Sequence, residues 1–344
     1  MPRRRRNRGA RPLPLLVTGL VLVVVIFAYR WWPAGAARRT GAVAETTRVS
    51  PRPPKLSSDR LETPPPDRHA TEPAPPAHPE PKVERNAPPP PEAEQQKRLE
   101  TLIEAGRQAL AANDPLTARA RWSEALKLGP PGAVAANLRS ELTRVGAQTI
   151  LSNTVLKGDP LTELYVVKAG DTLGRIAKGQ HITAELLQRI NNLSDKHTIR
   201  IGQTLKIVHG PFHAVVRKST YSLDVYCQDA YVHSFPVALG ADDSTPTGLW
   251  KVSGKLVNPT WYPPRGGDIV LADDPKNPLG ERWIGLAGID GQAVGQPKYG
   301  IHGTIEPDSI GKSVSLGCIR MRNEDVELLY DLLVEELSQV RVED

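Results

Sequence analysis

Cysteine is scarce in this chain of 344 residues, where only Cys227 and Cys318 are present. Two cysteines exclude the disulfide framework of a small secreted domain, although a single disulfide between them stays open. Without that disulfide, at least one of the two is available for chemistry. Metal-ligand patterns are lacking as well, since His209, His213 and His233 show no zinc-type spacing with a cysteine or carboxylate. We expect neither a metal site nor a cofactor.

Net charge is nearly absent outside the N-terminal tail. The formal net charge is +6, and six arginines lie within the first eleven residues, so the rest of the chain is close to neutral. A nucleic-acid-binding face needs positive charge clustered on a domain, which this distribution does not supply. We therefore expect no nucleic-acid partner.

A long apolar run follows the arginines, from Leu13 to Tyr29. It is either a cleaved signal peptide, with a small-residue cleavage site at 34–36, or an uncleaved anchor with its arginines in the cytoplasm. The length of the run and the interfacial pair Trp31-Trp32 favour the anchor. We predict a basic cytoplasmic tail and a transmembrane helix at residues 1–33. This makes a single-pass protein of the inner (cytoplasmic) membrane, with the rest of the chain in the periplasm or extracytoplasmic space.

Proline dominates residues 34–93, which we interpret as a linker. The strings at 63–66 and 87–91 cannot form helix or ladder hydrogen bonds and favour polyproline II. At about 3.1 Å per residue, such a linker can hold a domain on the order of 100 Å from the membrane.

Residues 94–150 carry apolar residues at helical spacing. Two stripes are separated by Asn113-Asp114-Pro115, and a third follows the helix stop Gly129-Pro130-Pro131. The first two resemble one helical hairpin of the tetratricopeptide type, with Gly106 and Ala109 where the helices would touch. One hairpin is too short for a stable solenoid. The segment is therefore either a helix bundle that docks a protein partner or a structural spacer.

The next segment predicts a strand, two helices and a closing strand. From Tyr165 to Val208 it reads YVVKAGDTLGRIAKGQHITAELLQRINNLSDKHTIRIGQTLKIV, with Thr183 placed to cap the second helix. The motifs VxxGDTLxxIA and NxLxxxxIxxGQxLxI are similar to those of the LysM module, which implies a βααβ fold over 163–209.

LysM modules bind N-acetylglucosamine-containing glycans between the loops that join strands and helices. By this resemblance, the residues lining the groove would be Gly170, Asp171, Thr172, Asn191 and Asn192. The alternative is a small packing domain that has lost sugar binding.

From residue 211 to 344 the pattern alternates as in β-strands. Short strands at 213–216, 221–226 and 233–237 are separated by turns such as Thr245-Pro246-Thr247-Gly248. No long helical stripe occurs before Glu324–Leu337, and Asn323 is predicted to cap that helix. We therefore predict a mainly β domain in a multidomain chain.

The chemistry is concentrated in the string YGIHGTIEPDSIGKSVSLGCIRM, from Tyr299 to Met321. A thiol attacks best as a thiolate, so Cys318 needs a base or a positive field, and His302 is the natural base. We accordingly expect the pKa of Cys318 to lie below that of a free thiol. Gly317 permits a tight turn whose backbone N–H groups can face a developing oxyanion.

That string, with the TPTG turn and the segments NPTWYPP and PLGERW, resembles the L,D-transpeptidase catalytic domain, also called the YkuD domain, which is a β-sandwich. The resemblance implies a cysteine that is acylated by a peptidoglycan stem tetrapeptide, releases the terminal D-alanine and is resolved by an amine. It implies that Cys318 is the nucleophile and His302 the base, with the Gly303 carbonyl orienting the imidazole. The amides of Gly317 and Cys318 would form the oxyanion hole.

The same resemblance assigns Ser315, Arg320, Tyr299 and Trp261 to the substrate site. Ser315 would steady the site by hydrogen bonding, and Arg320 would hold a carboxylate or the loop. Trp261 is either a substrate wall or a sheet-packing aromatic. Leu316 occupies a position that varies among family members, which affects substrate details rather than the reaction.

We therefore predict a membrane-anchored L,D-transpeptidase of cell-wall biogenesis, whose partners are stem peptides and glycan strands. It would form 3-3 cross-links or attach a protein to the wall. Two alternatives stay open: a hydrolase of the L,D-carboxypeptidase type, in which water resolves the thioester, and a catalytically silent wall-binding protein.

Overall fold

The structure is a computed structural model that describes residues 91–194, 198–264 and 266–344. The tail and anchor predicted at 1–33 lie outside these residues, as does the predicted linker up to residue 90. Within the described ranges, no helix combines the length and hydropathy needed to cross a membrane. The described residues belong to one compact unit.

Three helices open the described chain: α1 (Pro91–Ala111), α2 (Pro115–Lys127) and α3 (Gly132–Thr149). The side chain of Asp114 caps α2 by accepting a hydrogen bond from the Thr117 N–H at 3.0 Å. Gly106 lies against the indole of Trp122, where any larger side chain would clash. The predicted glycine contact between the first two helices is thus confirmed.

The βααβ module follows, with β1 (Thr162–Val166), α4 (Leu173–Gly179), α5 (Ala184–Ile190) and β2 (Thr204–Val208). Its two strands pair antiparallel, with Leu164 opposite Lys206. The Thr183 hydroxyl accepts from the Leu186 N–H at 3.0 Å, which confirms the predicted cap.

The remaining chain is mainly β, as predicted. Its strands are β3 (Phe212–Arg217), β4 (Ser222–Cys227), β5 (Ala230–Pro236), β6 (Leu239–Gly240), β7 (Gly248–Val257), β8 (Arg282–Gly291), β9 (Tyr299–His302), β10 (Ser313–Ser315), β11 (Ile319–Arg320) and β12 (Gln339–Glu343). Eight of them form one continuous sheet in the order β11-β9-β8-β7-β12-β3-β4-β5. Instead of two large sheets, the described strands add only a second sheet of β6 and β10.

Helix α6 (Asn323–Leu332) corrects two predictions. The helix ends five residues before Leu337 because Leu333 is extended, and the Lys255 ammonium donates to the carbonyls of Tyr330 and Leu333 at 2.5 and 2.8 Å. Arg322, not Asn323, occupies the N-cap position, and it provides no side-chain cap. The Asn323 side chain instead accepts a hydrogen bond from another part of the chain, described below.

The helical segment packs on edge strand β5. Gly146 of α3 touches the Val232 carbonyl so closely that only glycine fits. On α2, the Ser123 hydroxyl accepts from the Tyr231 N–H at 3.1 Å. From α3, Arg139 also pairs with the buried Asp224 of β4 at 2.8 Å. The helices therefore cover an edge that would otherwise be open to strand addition.

A buried polar cluster joins the helical segment to the βααβ module. We call Arg119, Thr149, Asp159 and Lys206 the polar junction. Arg119 donates to Asp159 at 2.7 Å and to the Thr149 hydroxyl at 3.0 Å. The Lys206 ammonium donates to three carbonyls, those of Thr149, Ser152 and Thr154, at 2.6, 2.9 and 2.8 Å.

Charge is retained at the junction because these groups are paired. Burial raises the pKa of Asp159, but the hydrogen bonds and charge of Arg119 lower it by more, so the carboxylate is ionised. Burial lowers the pKa of Lys206 to about 8, against the opposing effect of Asp159. A buried ion is tolerated when each of its hydrogen-bonding groups has a partner.

Candidate active site

Two parallel strands bring Cys318 and His302 together. Strand β9 ends at His302, and β11 begins immediately after Cys318. Ile319 lies opposite Ile301, and Arg320 lies opposite His302, which puts Cys318 two residues out of register with the imidazole. Because side chains alternate along a strand, positions two residues apart point to the same face of the sheet. If this alternation is extended one residue back from β11, Cys318 falls on the same face as His302. The Cys318 Sγ lies 3.8 Å from the Lys298 carbonyl oxygen.

The imidazole of His302 is held by its own neighbour. Its Nδ1 lies 2.7 Å from the Gly303 carbonyl oxygen. A carbonyl can only accept, so Nδ1 carries the proton and Nε2 of the neutral ring is left as an acceptor. The side chain is only 5% exposed and stacks on Trp283 at 5.7 Å between ring centroids. Burial, helped by the charge of Arg320, lowers the pKa of His302 to about 4, so the ring is neutral at pH 7.

The thiol of Cys318 does not have the depressed pKa that we expected. Burial raises the pKa of Cys318, while the Gly300 N–H and the Arg320 charge act weakly in the opposite direction. At pH 7 Cys318 is therefore a neutral thiol and His302 a neutral imidazole. Both cysteines are free, which excludes the Cys227–Cys318 disulfide.

The turn before Cys318 is held by Ser315. Its hydroxyl donates to the Cys318 carbonyl at 2.6 Å and accepts from the Gly317 N–H at 3.0 Å. Gly317 has φ of +129°, and an added Cβ would lie 2.7 Å from Cε1 of Tyr299. Glycine is required there by both backbone angle and space.

These bonds bear on two expected roles. Ser315 is buried and hydrogen-bonded on both sides, as expected of a residue that steadies the site by hydrogen bonding, and its assignment to the substrate site stays a prediction. The Gly317 N–H, one of the two predicted oxyanion donors, already donates to Ser315. The other predicted donor, the Cys318 N–H, does not.

The other predicted substrate residues are Arg320, Tyr299 and Trp261. Arg320 pairs with the exposed Glu306 at 2.9 Å, and its Nε is buried with no hydrogen-bond partner among the described residues. The Tyr299 hydroxyl donates to the Ser244 carbonyl at 3.2 Å. Trp261 is half-buried and exchanges backbone hydrogen bonds with Val270 at 2.8 and 3.1 Å, which folds the β7–β8 connection into a hairpin.

Comparison with known proteins decides the family. The model of the L,D-transpeptidase catalytic domain matches residues 211–342, and that of the LysM domain matches residues 165–208. Protein YkuD of Bacillus subtilis, which carries the L,D-transpeptidase name, is 35% identical over 171 residues, covering 47% of this chain and 88% of that protein. YkuD of Bacillus licheniformis is 32% identical over 172 residues, with the same two coverages of 47% and 88%. This chain belongs to the L,D-transpeptidase family.

A third relative, protein YqjB of Bacillus subtilis, also carries the L,D-transpeptidase name. It is 39% identical over 127 residues, which cover 36% of this chain and 67% of that protein. The family resemblance and the LysM resemblance drawn from the sequence are both confirmed.

Two residues of this L,D-transpeptidase site were not found from its sequence. The Asn323 side chain accepts from the Thr304 N–H at 3.1 Å and fills the space beside Gly303, so it holds the segment after the base. Thr245 donates its hydroxyl to the Gly317 carbonyl at 2.9 Å. Thr245 lies in the TPTG turn, and Asn323 follows the string that ends at Met321. In both cases the hydrogen-bond partner is distant in sequence, so local sequence does not predict it.

In the LysM module, the predicted groove side chains are engaged within the module. Asp171 accepts from the Tyr165 hydroxyl at 2.8 Å and the Lys168 N–H at 2.7 Å. The Asn191 amide donates to the Lys206 carbonyl at 2.9 Å and accepts from the Lys206 N–H at 2.8 Å.

The remaining groove residues shape the two loops. Thr172 caps α4 through the Arg175 N–H at 3.2 Å. Gly170 and Asn192 have positive φ, +84° and +52°. All five predicted groove residues therefore define loop shape, and a glycan role for any of them is a proposal.

Proposed function

We propose that this protein is a peptidoglycan L,D-transpeptidase that works through an acyl-enzyme on Cys318. The observation that carries the proposal is the Nδ1–H bond from His302 to the Gly303 carbonyl at 2.7 Å. It leaves Nε2 as an acceptor, and the pairing of β9 with β11 places Cys318 two residues from His302 in register. Family membership supports an enzyme that modifies peptidoglycan.

The chemistry follows from the neutral pair. His302 takes the thiol proton as the Cys318 sulfur attacks the carbonyl of residue three in a donor stem tetrapeptide. The oxyanion is stabilised by backbone N–H donation, and the C–N bond to the terminal D-alanine then breaks, with the proton returned to that amine. An amine from a second stem, or from a protein, attacks the thioester and regenerates the thiol.

The LysM module is proposed to bind glycan strands through its two loops. Its packing against α6 and the polar junction would hold those loops in a fixed orientation to Cys318, raising the effective concentration of stems on the bound strand. The apolar run from Leu13 to Tyr29 would keep both domains at the cell envelope. A reporter that works only outside the cytoplasm, fused after Asp344, should then be active in the membrane fraction. Recovery of a soluble chain beginning near Ala37 would indicate a cleaved signal peptide.

The direct test uses disaccharide tetrapeptides ending in D-alanine and the full chain in detergent. Mass spectrometry should find an adduct on Cys318 equal to the stem minus that alanine, and a 3-3 dimer once acceptor stem is added. Cys318→Ala should abolish the adduct, whereas Cys227→Ala, at a buried thiol whose pKa is raised to about 12 by burial, should retain it. Tripeptide product without dimer would favour the hydrolase. Glycan binding with no adduct from any stem would instead indicate a silent wall-binding protein.

A further inference from the structure

The carbonyl of Gly317 accepts a hydrogen bond from Thr245, which lies in a turn distant in sequence. The Thr245 hydroxyl donates to the Gly317 carbonyl at 2.9 Å and accepts from the Gly240 N–H at 2.8 Å. Thr245 is 2% exposed, and its single O–H donor points at Gly317. The hydroxyl is therefore fixed in one rotational state by two backbone partners.

This hydrogen bond also determines the direction of the Cys318 N–H. The Gly317 carbonyl and the Cys318 N–H belong to one peptide unit, which is planar and trans. In such a unit the N–H points away from the C=O, so holding the carbonyl fixes where the Cys318 N–H points. Donation to the carbonyl also polarises the peptide and strengthens its N–H as a donor.

The packing leaves no substitute for the hydroxyl. A Cβ built on Gly240 would lie 2.9 Å from the Cα of Gly317, so the two chain segments are in direct contact. A water molecule needs more room than this and several polar partners. Loss of the Thr245 hydroxyl would leave the Gly317 carbonyl without its donor, and the 317–318 peptide would be held only through the bonds of Ser315 to the groups on either side of it.

We propose that Thr245 is a positioning residue of the oxyanion hole, acting through the 317–318 peptide to aim the Cys318 N–H at the acylated carbonyl. The proposal rests on the cysteine acyl-enzyme proposed above. It predicts a defect in acyl transfer that a defect in thiol reactivity or folding would not reproduce.

The experiment compares two reactions of Cys318 in the full chain. In the first, the sulfur attacks the carbonyl of 4-nitrophenyl acetate and expels 4-nitrophenolate through a tetrahedral oxyanion. In the second, the sulfur displaces iodide from iodoacetamide, and no oxyanion forms. Thr245→Val should slow acylation about 10- to 100-fold, less than or comparable to the loss of a whole oxyanion donor. Alkylation should change less than about twofold, and Thr245→Ser should restore acylation because the hydroxyl returns.

Thr247→Val is the matched control, since this residue lies in the same turn and its hydroxyl makes no hydrogen bond among the described residues. It should leave both rates unchanged. If Thr245→Val does not fold, as judged by thermal unfolding, Thr245→Ala removes the hydroxyl without putting a methyl group in its place and is put through the same two reactions.

Equal slowing of both reactions, or unchanged acylation in the folded variant, would overturn the proposal. The ester reports on the oxyanion hole whatever the natural donor. Wild-type protein that reacts with the ester but with no stem peptide would therefore refute the proposed function while still deciding the role of Thr245.

Discussion

The polar junction and the predicted catalytic pair, Cys318 and His302, both bury ionisable side chains. They differ in what their polar atoms contact. At the junction, the three donors of Lys206 meet three carbonyls, and Asp159 accepts from Arg119, the Leu161 N–H and the Thr162 hydroxyl. At the catalytic pair, His302 has one nitrogen bound to the Gly303 carbonyl and the other left as an acceptor.

This difference in partners separates a buried group that stabilises the fold from a buried group that can react. A buried ion whose partners are all internal keeps one protonation state and holds elements together. A buried neutral base with one available nitrogen can change its protonation when substrate arrives. Burial by itself therefore does not distinguish the two centres, whereas the hydrogen-bond partners of their buried atoms do.

The largest contrast should come from His302→Gln. Removing the general base should slow acylation of Cys318 by stem tetrapeptide about 10²- to 10⁴-fold. Initial rates of adduct formation, followed by mass spectrometry, measure this effect.

The matched control for that variant is His213→Gln. His213 is another partly buried histidine, and its Nδ1 accepts from the Gln339 N–H at 3.1 Å, far from the nucleophile in the sheet order. Its rate should stay within about threefold of wild type, because general acid–base catalysis needs contact with the reacting proton. Similar losses in both variants would remove the distinction between the two kinds of buried histidine.

Substitution at the polar junction should lower the stability of the fold and leave the acylation rate unchanged. Asp159→Ala leaves the buried Arg119 without its carboxylate and should lower the free energy of unfolding by about 3–5 kcal/mol. Urea denaturation measures the loss, while acylation by the folded fraction should be unchanged. Asp229→Ala is the control, since that carboxylate pairs with Lys127 at 2.5 Å but is 96% exposed, and its loss should leave the urea midpoint unchanged.

The contributions of His302 and Asp159 to the free energy of unfolding should be lost in different pH ranges. The pKa of His302 is about 4 in the folded chain and 6.5 in the unfolded one, so between these values the unfolded state binds the extra proton. The free energy of unfolding should therefore fall by about 3 kcal/mol as pH drops from 6.5 to 4. Asp159, whose pKa is lowered from 3.8, keeps its contribution over that range and loses it only in stronger acid. Denaturation curves of wild type and His302→Gln should diverge accordingly, and parallel curves would contradict the assignment.

The smallest effect is expected at the exposed contact between the LysM module and α6. Arg189 pairs with Asp331 at 2.5 Å, with side-chain exposures of 45% and 13%. Arg189→Ala should cost less than about 1 kcal/mol, because partly exposed ion pairs are screened by solvent. A loss as large as that of Asp159→Ala would mean that burial does not set the strength of these inter-domain contacts.

Local patterns were enough to predict much of the fold. Strand alternation, the Thr183 cap and the contact of Gly106 with Trp122 depend on neighbours in sequence or on one adjacent helix, and all are found. Asn323 was misassigned because its residue type suits a cap, while its actual partner, the Thr304 N–H, lies nineteen residues away. The pKa of Cys318 was wrong in direction because motif chemistry does not include desolvation.

By itself, the sequence determined the family and the two modules and predicted the cysteine–histidine pair, because each depends on residue types at short, characteristic spacings. Only the tertiary structure decided which atoms of that pair are engaged and which remain available. Thr245 and Gly317 are separated by 72 residues, and they meet because β6 and β10 pair beside the nucleophile turn. Such contacts depend on strand pairing between distant segments, and no local pattern specifies that pairing.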